Sequence, residues 1–413
     1  MSVLRLLIRT PLVLFVALGV VGGAHAQSGG SVEIGPDGVR LMSAEEAFEV
    51  RLRNDMYLDA RALSGTDASP GADRFFLRRV RPRLQGQMYE RFAFSVRPDF
   101  GIGGPEIDDA FAEARFAPAL RLRVGRFKVP VGLEVLASTA GLMHVERGFP
   151  AGLVPGRDVG VMMEGTVWQD RAEYAVGLFN GTPGATGPGA DVDDAKEGAA
   201  RLLVTPLSGR EGPLSGLGLG VAGTIGGVTG TDAAPALTRL STTGRQTFFS
   251  YRSDARADGT RWRVVPQAHV YAGPVELLGE YAVTAETVRL GISEETLTHR
   301  AWQASAAVVL TGEEAREGMV TPDDPFGTTP GMGAFELGAR VHGATVDDDA
   351  FSVFADPAAA ASEATAWGLT LSWYPNATVR FMMGYERTAF EAAGIATPRD
   401  PEHLLLTRMQ VAF

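Results

Sequence analysis

LLLTRMQVAF, residues Leu404–Phe413, ends the chain, and its reading decides the architecture. Leu405, Thr407, Met409, Val411 and Phe413 fall on one face at period two, with Arg408 and Gln410 on the other. A strand that is apolar on one face and polar on the other suits a wall between hydrocarbon and water. Ending that strand on a terminal phenylalanine is the usual signature of outer-membrane barrel assembly.

The same alternation runs back through the sequence. Phe92, Phe94 and Val96 alternate with Ala93, Ser95 and Arg97, and similar segments occupy Leu120–Phe127, Val159–Trp168, Arg261–Tyr271, Leu297–Leu310 and Val379–Phe390. Short turns (Gln169-Asp170-Arg171, Ala272-Gly273-Pro274, Tyr374-Pro375-Asn376) separate them on one side, and long loops (Val129–Gly156, Gly181–Asp194, Gly226–Gly259, Asp347–Glu363) on the other. Tight periplasmic turns and long outer loops are the habit of a transmembrane antiparallel β-barrel. The count predicts about 16 strands. Thr247–Tyr251 is assigned to a loop, because an odd total would put the chain ends on opposite sides. Glu313–Gly333 breaks the pattern, being long where a short turn is due. Aromatics near strand ends, such as Trp168, Tyr271, Tyr281, Trp302 and Tyr374, suit interfacial girdles.

The N-terminus fits export. Arg5 and Arg9 precede an uncharged run from Thr10 to Gly23, which closes on Ala24-His25-Ala26, a small-x-small cleavage site. Residues 1–26 are therefore expected to be a removed signal peptide, 27–47 an N-terminal periplasmic segment and 48–413 the barrel. There is no cysteine, so disulfides and thiolate metal sites are excluded. The formal charge of −11 falls to −13 without Arg5 and Arg9, which argues against nucleic-acid binding.

Within this acidic chain the cations are unevenly placed. Lysine occurs only at Lys128 and Lys196, while seven arginines lie between Arg74 and Arg97. In RFFLRRVRPRL (Arg74–Leu84), Arg79, Arg81 and Arg83 share one face, about 7 Å apart along the strand. On the lipid face each would cost several kcal/mol, so they are expected in the lumen, where they attract anions. Arg78 has the opposite parity and needs a bulge or a rim position. In Leu120–Lys128 the parity switches between Arg121/Arg123 and Arg126/Lys128, and a bulge at Gly125 would bring all four inward. The long loop after Lys128 carries Glu134, Ser138, Thr139, His144, Glu146, Arg147 and Arg157, and is expected to fold into the lumen.

Other motifs carry little. Gly218-Leu219-Gly220-Val221-Ala222-Gly223 fits a dinucleotide pattern without a βαβ unit and reads as a glycine-rich strand. Asp191–Glu197 lacks the glycine and spacing of an EF-hand. No zinc-protease motif or nucleophile elbow is present. His269 is the one candidate for a wall-borne hydrolase, and no catalytic residue, metal or cofactor is expected.

The segments GRFKVPVGLE (Gly125–Glu134), HVERGFP (His144–Pro150), PGRDVGV (Pro155–Val161), GLFNGTP (Gly177–Pro183) and LSWYPN (Leu371–Asn376) resemble the phosphate-selective porin O/P family in the expected order. That resemblance implies a homotrimer of sixteen-stranded barrels in the Gram-negative outer membrane, beside lipopolysaccharide, with the third outer loop folded inward. Carried over residue by residue, it matches Arg78, Arg79, Lys128 and Arg147, with Ser138 and Thr139 on the same loop; together with Arg81, Arg83, Arg123 and Arg126, placed inward by strand parity, these form the expected anion-binding constriction, passing phosphate, polyphosphate or other small anions. The family's lysine-rich outer mouth is replaced here by acidic loops. The alternatives are a general, weakly selective porin and a structural or surface-binding barrel.

Overall fold

The computed structural model describes residues 30–65, 73–181, 191, 193–327, 330–357, 359–393 and 399–413. The expected signal peptide lies outside them. A hairpin comes first, β1 (Ser31–Gly35) and β2 (Gly38–Met42). The first barrel strands are β3 (Phe48–Ser64), β4 (Arg74–Met88), β5 (Phe92–Asp99), β6 (Glu106–Ala117) and β7 (Leu120–Lys128). There follow β8 (Arg157–Val167), β9 (Ala172–Phe179), β10 (Glu197–Val204) and β11 (Gly216–Thr229). Two short strands, β12 (Leu240–Ser241) and β13 (Thr247–Phe249), pair only with each other inside a loop. The last barrel strands are β14 (Arg256–Ala272), β15 (Val275–Leu290), β16 (Ser293–Val309), β17 (Ala334–Thr345), β18 (Ala361–Tyr374), β19 (Val379–Ala392) and β20 (Glu402–Ala412).

Of the eighteen strands in the main sheet, removing the β1–β2 hairpin leaves sixteen, each antiparallel to its neighbours. Arg408 pairs with Asp59 and Ala412 with Asp55, so β20 closes on β3 and the barrel has no open edge. Below that closure β2 takes over the place of β20, pairing Val39 with Leu52 and Met42 with Glu49. Among the described residues no helix is long and apolar enough to cross a membrane, and the chain crosses with strands. The glycine-rich segment is strand β11, and Thr247–Phe249 stays within a loop.

Alternation decides which side chains meet lipid. On β20, Leu405 and Met409 are exposed outward, while Leu404, Leu406, Arg408 and Gln410 are buried inward. Outward Phe335, Trp373 and Phe381 stack near the periplasmic end, with Trp373 and Phe381 centroids 5.4 Å apart. Outward Tyr281 pairs with Trp302 farther along the wall.

Candidate functional site

The third outer loop, residues 129–156, leaves β7 and turns into the lumen for apolar reasons. Val129, Val131, Val135, Phe149 and Leu153 are buried against Phe127, Phe179 and Val265. A loop with only single helical turns, at Leu133–Leu136, Thr139–Gly141 and Phe149–Gly152, must find other partners for much of its backbone, and the wall supplies arginines. Arg263 Nε donates to the Leu153 carbonyl (3.1 Å), Arg340 Nη1 to Glu146 O (2.9 Å), Arg380 Nη1 to Leu142 O (2.8 Å) and Arg408 Nη1 to Val145 O (2.6 Å). Two loop N–H groups are met as well: Leu133 N donates to Glu280 (2.8 Å) and Phe149 N to His342 Nδ1 (3.1 Å). All these partners lie on β14–β20, so the loop is pressed against that half of the wall.

A second outer loop, 230–255, follows it inside. Phe248 packs edge-on against Phe149 at 5.5 Å, Thr243 bonds Glu386, and the Gly244 carbonyl accepts from Arg61 (2.7 Å). The sequence had pointed to one inward loop. From the periplasmic side the long 310–333 segment also reaches the lumen. A Cβ on Gly141 would meet Gly318 Cα at 2.3 Å, and Gln410 Nε2 donates to Met319 Sδ (3.0 Å). Between this segment, the loop and β3–β4 lies a cavity of about 480 Å³, lined by Arg53, Asp55, Arg83, Ser138, Arg316 and Met319.

The inward loop faces the arginines of β4. Tyr57 pairs with Arg79 and Leu58 with Leu77, which makes Arg78 the extra residue of a bulge. Arg78 therefore joins Arg79 on the lumen side, and its Nε and Nη2 grip both oxygens of Glu146 at 2.6 and 3.0 Å. Arg81 is held by Asp99 (2.7 Å) and Asp108 (2.8 Å), and Arg83 stands 3.9 Å from Asp55. Arg79 has a single carboxylate contact among the described residues, Asp99 at 3.9 Å.

On β7, Arg123 bridges Glu113 (2.6 Å) and Glu164 (2.7 Å). The expected bulge at Gly125 is absent, because Gly125 pairs in unbroken register with Phe111 and Gly160. Arg126 consequently shares the face of its partners Ala110 and Val159, and Val159 is exposed on the outer surface. Its Nε bonds the Ile107 carbonyl (2.9 Å). The guanidinium itself is buried. Lys128, at the strand's last residue, turns to the loop and donates to the Leu136 and Ala137 carbonyls, both at 2.8 Å. Arg147 Nε donates to the Glu134 carbonyl (2.9 Å). Thr139 Oγ1 lies 3.2 Å from the Tyr57 hydroxyl, and Ser138 Oγ accepts from Ala140 N (3.4 Å).

Burial pushes the Glu146 carboxyl up, but Arg78 and Arg408 beside it outweigh that and hold it well below the usual carboxylate range. Glu146 is thus a fixed anion between two arginines. Burial first, and then the nearby Arg340 guanidinium, push His144 well below the usual histidine range, so its ring is neutral against Thr370 (2.9 Å).

Several wall residues had escaped notice as site members. Arg97 pairs with Asp109 (2.6 Å) and Arg157 with the same acid (2.7 Å). Their signal was the Asp108-Asp109 doublet, which a bulge between Arg97 and Pro98 turns inward. Asp99, Glu106 and Asp108 lie close enough to hold a cation, yet Arg81 already occupies two of them. Arg245, exposed at the tip of the second inward loop, carried no sequence signal.

With that lumen described, the comparisons are decisive. Residues 48–413 match the family described as phosphate-selective porin O and P. The chain belongs to that family. No curated protein matches the sequence. Among solved structures it is similar to the outer membrane channel DcaP of Acinetobacter baumannii, with 11% identity, TM-score 0.57, and coverage of 90% of this chain and 99% of that one. An anion-selective porin from Comamonas acidovorans follows at 12% identity and TM-score 0.54, covering 89% and 100%. The trimer form of OmpT from Vibrio cholerae has 10% identity and TM-score 0.53, again covering 89% and 100%. Such identities carry the fold alone, and family and fold together make this protein an outer-membrane porin.

Proposed function

We propose that this porin passes small anions, phosphate among them, through a narrow zone between the inward loop and the arginine wall of β3–β8. The observation that carries this reading is the coordination of three cations there. Among the described residues Lys128 and Arg147 bond only loop carbonyls, and Arg79 has its one carboxylate at 3.9 Å. Carbonyl dipoles hold a cation without cancelling its charge, so these groups leave a net positive field on the path. Arginine's fork would meet phosphate oxygens two at a time as dehydration begins. Ser138 and Thr139 supply hydroxyls on the same stretch of loop.

A weakly selective general porin is favoured by a different observation. Arg81, Arg97, Arg123 and Arg157 are each paired with carboxylates within 2.8 Å, which neutralises much of the wall. The reversal potential in a planar bilayer under a KCl gradient separates the two readings. We expect an anion-selective potential and block of chloride current by added phosphate. A cation-selective potential without block would leave only the general porin. We also propose assembly as a homotrimer in contact with lipopolysaccharide, the first part supported by the trimeric Vibrio neighbour. Crosslinking in native membranes that stops at monomers would refute it.

A further inference from the structure

Glu146 of the inward loop meets arginines of both walls. Arg78 of β4 grips Oε1 at 2.6 Å and Oε2 at 3.0 Å, and Arg408 of β20 donates to Oε1 at 2.8 Å. The two arginines differ in what else they hold. Arg408 also bonds both oxygens of Asp59 and the Val145 carbonyl, and its side chain is buried. Among the described residues Arg78 bonds Glu146 alone. The side chains of Arg78 and Glu146 stay 12% and 16% exposed, so their contact borders the lumen.

The surroundings are more cationic than one carboxylate can satisfy. Arg79, the next residue on β4, acts on Glu146 electrostatically, and its buried Nε has no hydrogen-bond partner among the described residues. Arg245, at the tip of the second inward loop, lies within electrostatic reach of both Arg78 and Glu146. It is exposed, and among the described residues its side chain makes no hydrogen bond or ion pair. Its backbone is left-handed (φ 63°), a conformation that an arginine adopts at a cost. The turn that imposes it is fixed by Thr242 N on the Gln246 carbonyl (2.8 Å) and by Arg61 on the Gly244 carbonyl (2.7 Å). Among the described residues the ion pairs of Arg78, Arg79 and Arg245 are those with Glu146 and, at 3.9 Å, with Asp99. These arginines frame an anion site, and a carboxylate of the chain itself fills it.

We infer that Glu146 is a tethered competitor: a permeating oxyanion takes the Arg78 fork in its place, while Glu146 stays on Arg408. The inference rests on the anion path proposed above and adds the residue that discriminates between anions on it. Phosphate, like a carboxylate, offers the fork two oxygens at once, whereas a halide offers a single centre. Chloride therefore cannot replace both bonds that Arg78 gives up, and an oxyanion can. Arg408 keeps its hold on Asp59 and Val145 throughout, so the exchange does not require the loop to detach. Arg79 and Arg245 offset the second negative charge while both anions are present.

The test is the phosphate concentration that halves chloride current through single channels, compared among wild type, Glu146→Gln, Arg78→Gln and the double variant. In Glu146→Gln the amide oxygen meets the fork without charge, and the half-blocking concentration should fall about tenfold. Arg78→Gln should raise it, and the double variant should match Arg78→Gln, because the competitor acts through the fork. The bromide-to-chloride permeability ratio should not change in Glu146→Gln. Glu146→Asp keeps the charge but draws it back from Arg78, and should lower the half-blocking concentration by a smaller factor; it carries the test if Glu146→Gln does not assemble. A loop merely loosened by these substitutions would weaken the block instead. Block of the wild type that is unchanged or weaker in both Glu146 variants would overturn the competitor and leave the anion path standing. Absence of block in the wild type and in every variant would overturn both.

Discussion

The two halves of the lumen wall use arginine for opposite purposes. On β14–β20, Arg263, Arg340, Arg380 and Arg408 each combine a carboxylate with a carbonyl of the inward loop, and all four are buried. They are fasteners. On β4–β8 Arg78 holds Glu146 of that loop, most other arginines are neutralised by acids of neighbouring strands, and those without a close carboxylate are the ones proposed to meet a passing ion. A run of arginines is therefore no measure of anion selectivity in itself. What matters is whether each guanidinium faces a carboxylate, a carbonyl or water.

The sharpest way to break this comparison is to remove a fastener. Arg408 holds Asp59 with two bonds of 2.8 Å, and also Glu146 (2.8 Å) and the Val145 carbonyl (2.6 Å). Arg408→Met strands the buried Asp59 carboxylate and leaves Glu146 with Arg78 as its partner; breaking a buried ion pair in this way costs about 3–5 kcal/mol. Urea unfolding in lipid vesicles should show that loss, and single-channel conductance should rise as the loop detaches. A variant with wild-type stability and conductance would show that Arg408 does not anchor the loop.

The next effect in size is a pH dependence of the same anchorage. His144 lies in the loop, neutral, with its folded-state value pushed down by burial. A base with a depressed folded value favours the folded state only while the unfolded chain is also neutral. Stability should then fall as pH drops below the ordinary histidine value of about 6.5, by at most about 1.4 kcal/mol per pH unit for one proton. Glu146 works in the same direction at lower pH, its depressed value giving stability that is complete above the ordinary carboxylate range and is lost as pH falls through it. The decline near pH 6 should be shallower in His144→Asn. An identical profile in that variant would remove His144 as the cause.

On the open half, Lys128→Gln and Arg147→Gln delete cations held only by carbonyls. One unit charge about 7 Å from a permeating ion is worth about 0.6 kcal/mol in water, near a threefold change in the chloride-to-potassium permeability ratio. Reversal potentials should shift toward cations by that amount in each variant. No shift in either would transfer the selectivity to Arg79 or to Arg245 at the tip of the second inward loop.

The barrel was largely legible in sequence, because period-two alternation is a local property and lipid on one face enforces it over each strand. LLLTRMQVAF carries both faces of β20 without any knowledge of its partners. Arg78 was legible as an anomaly, since its parity clashed with Arg79, and the bulge resolves it. Gly125 was the same kind of anomaly and resolves differently, because its paired strands run on in register and leave no bulge before the buried Arg126. Local parity cannot distinguish the two cases; only the partner strands do. The second inward loop was hidden for a related reason. Phe248 and Phe249 are apolar in either a strand or a plug, and what they pack against, Phe149 and Phe390 for the first and His299 and Phe351 for the second, is distant in sequence. The 310–333 segment announced itself by length alone, and its contacts with Gly141 and Gln410 were not to be had from pattern.

The smallest expected effect isolates pairing itself. Arg123 and Glu113 lie 2.6 Å apart on neighbouring strands, so their fields largely cancel at a distance. Deleting both charges, Arg123→Gln with Glu113→Gln, leaves the net charge of the lumen unchanged. Arg115 and Glu164 remain on either side as the surviving members of that network. The permeability ratio should then move by less than about a fifth, since opposite charges this close act on an ion several Å away only as a weak dipole. A shift as large as that of Lys128→Gln would mean that paired arginines also steer ions. In that case the division between fastening, neutralised and conducting arginines would have to be redrawn, with the whole wall acting on the permeating anion.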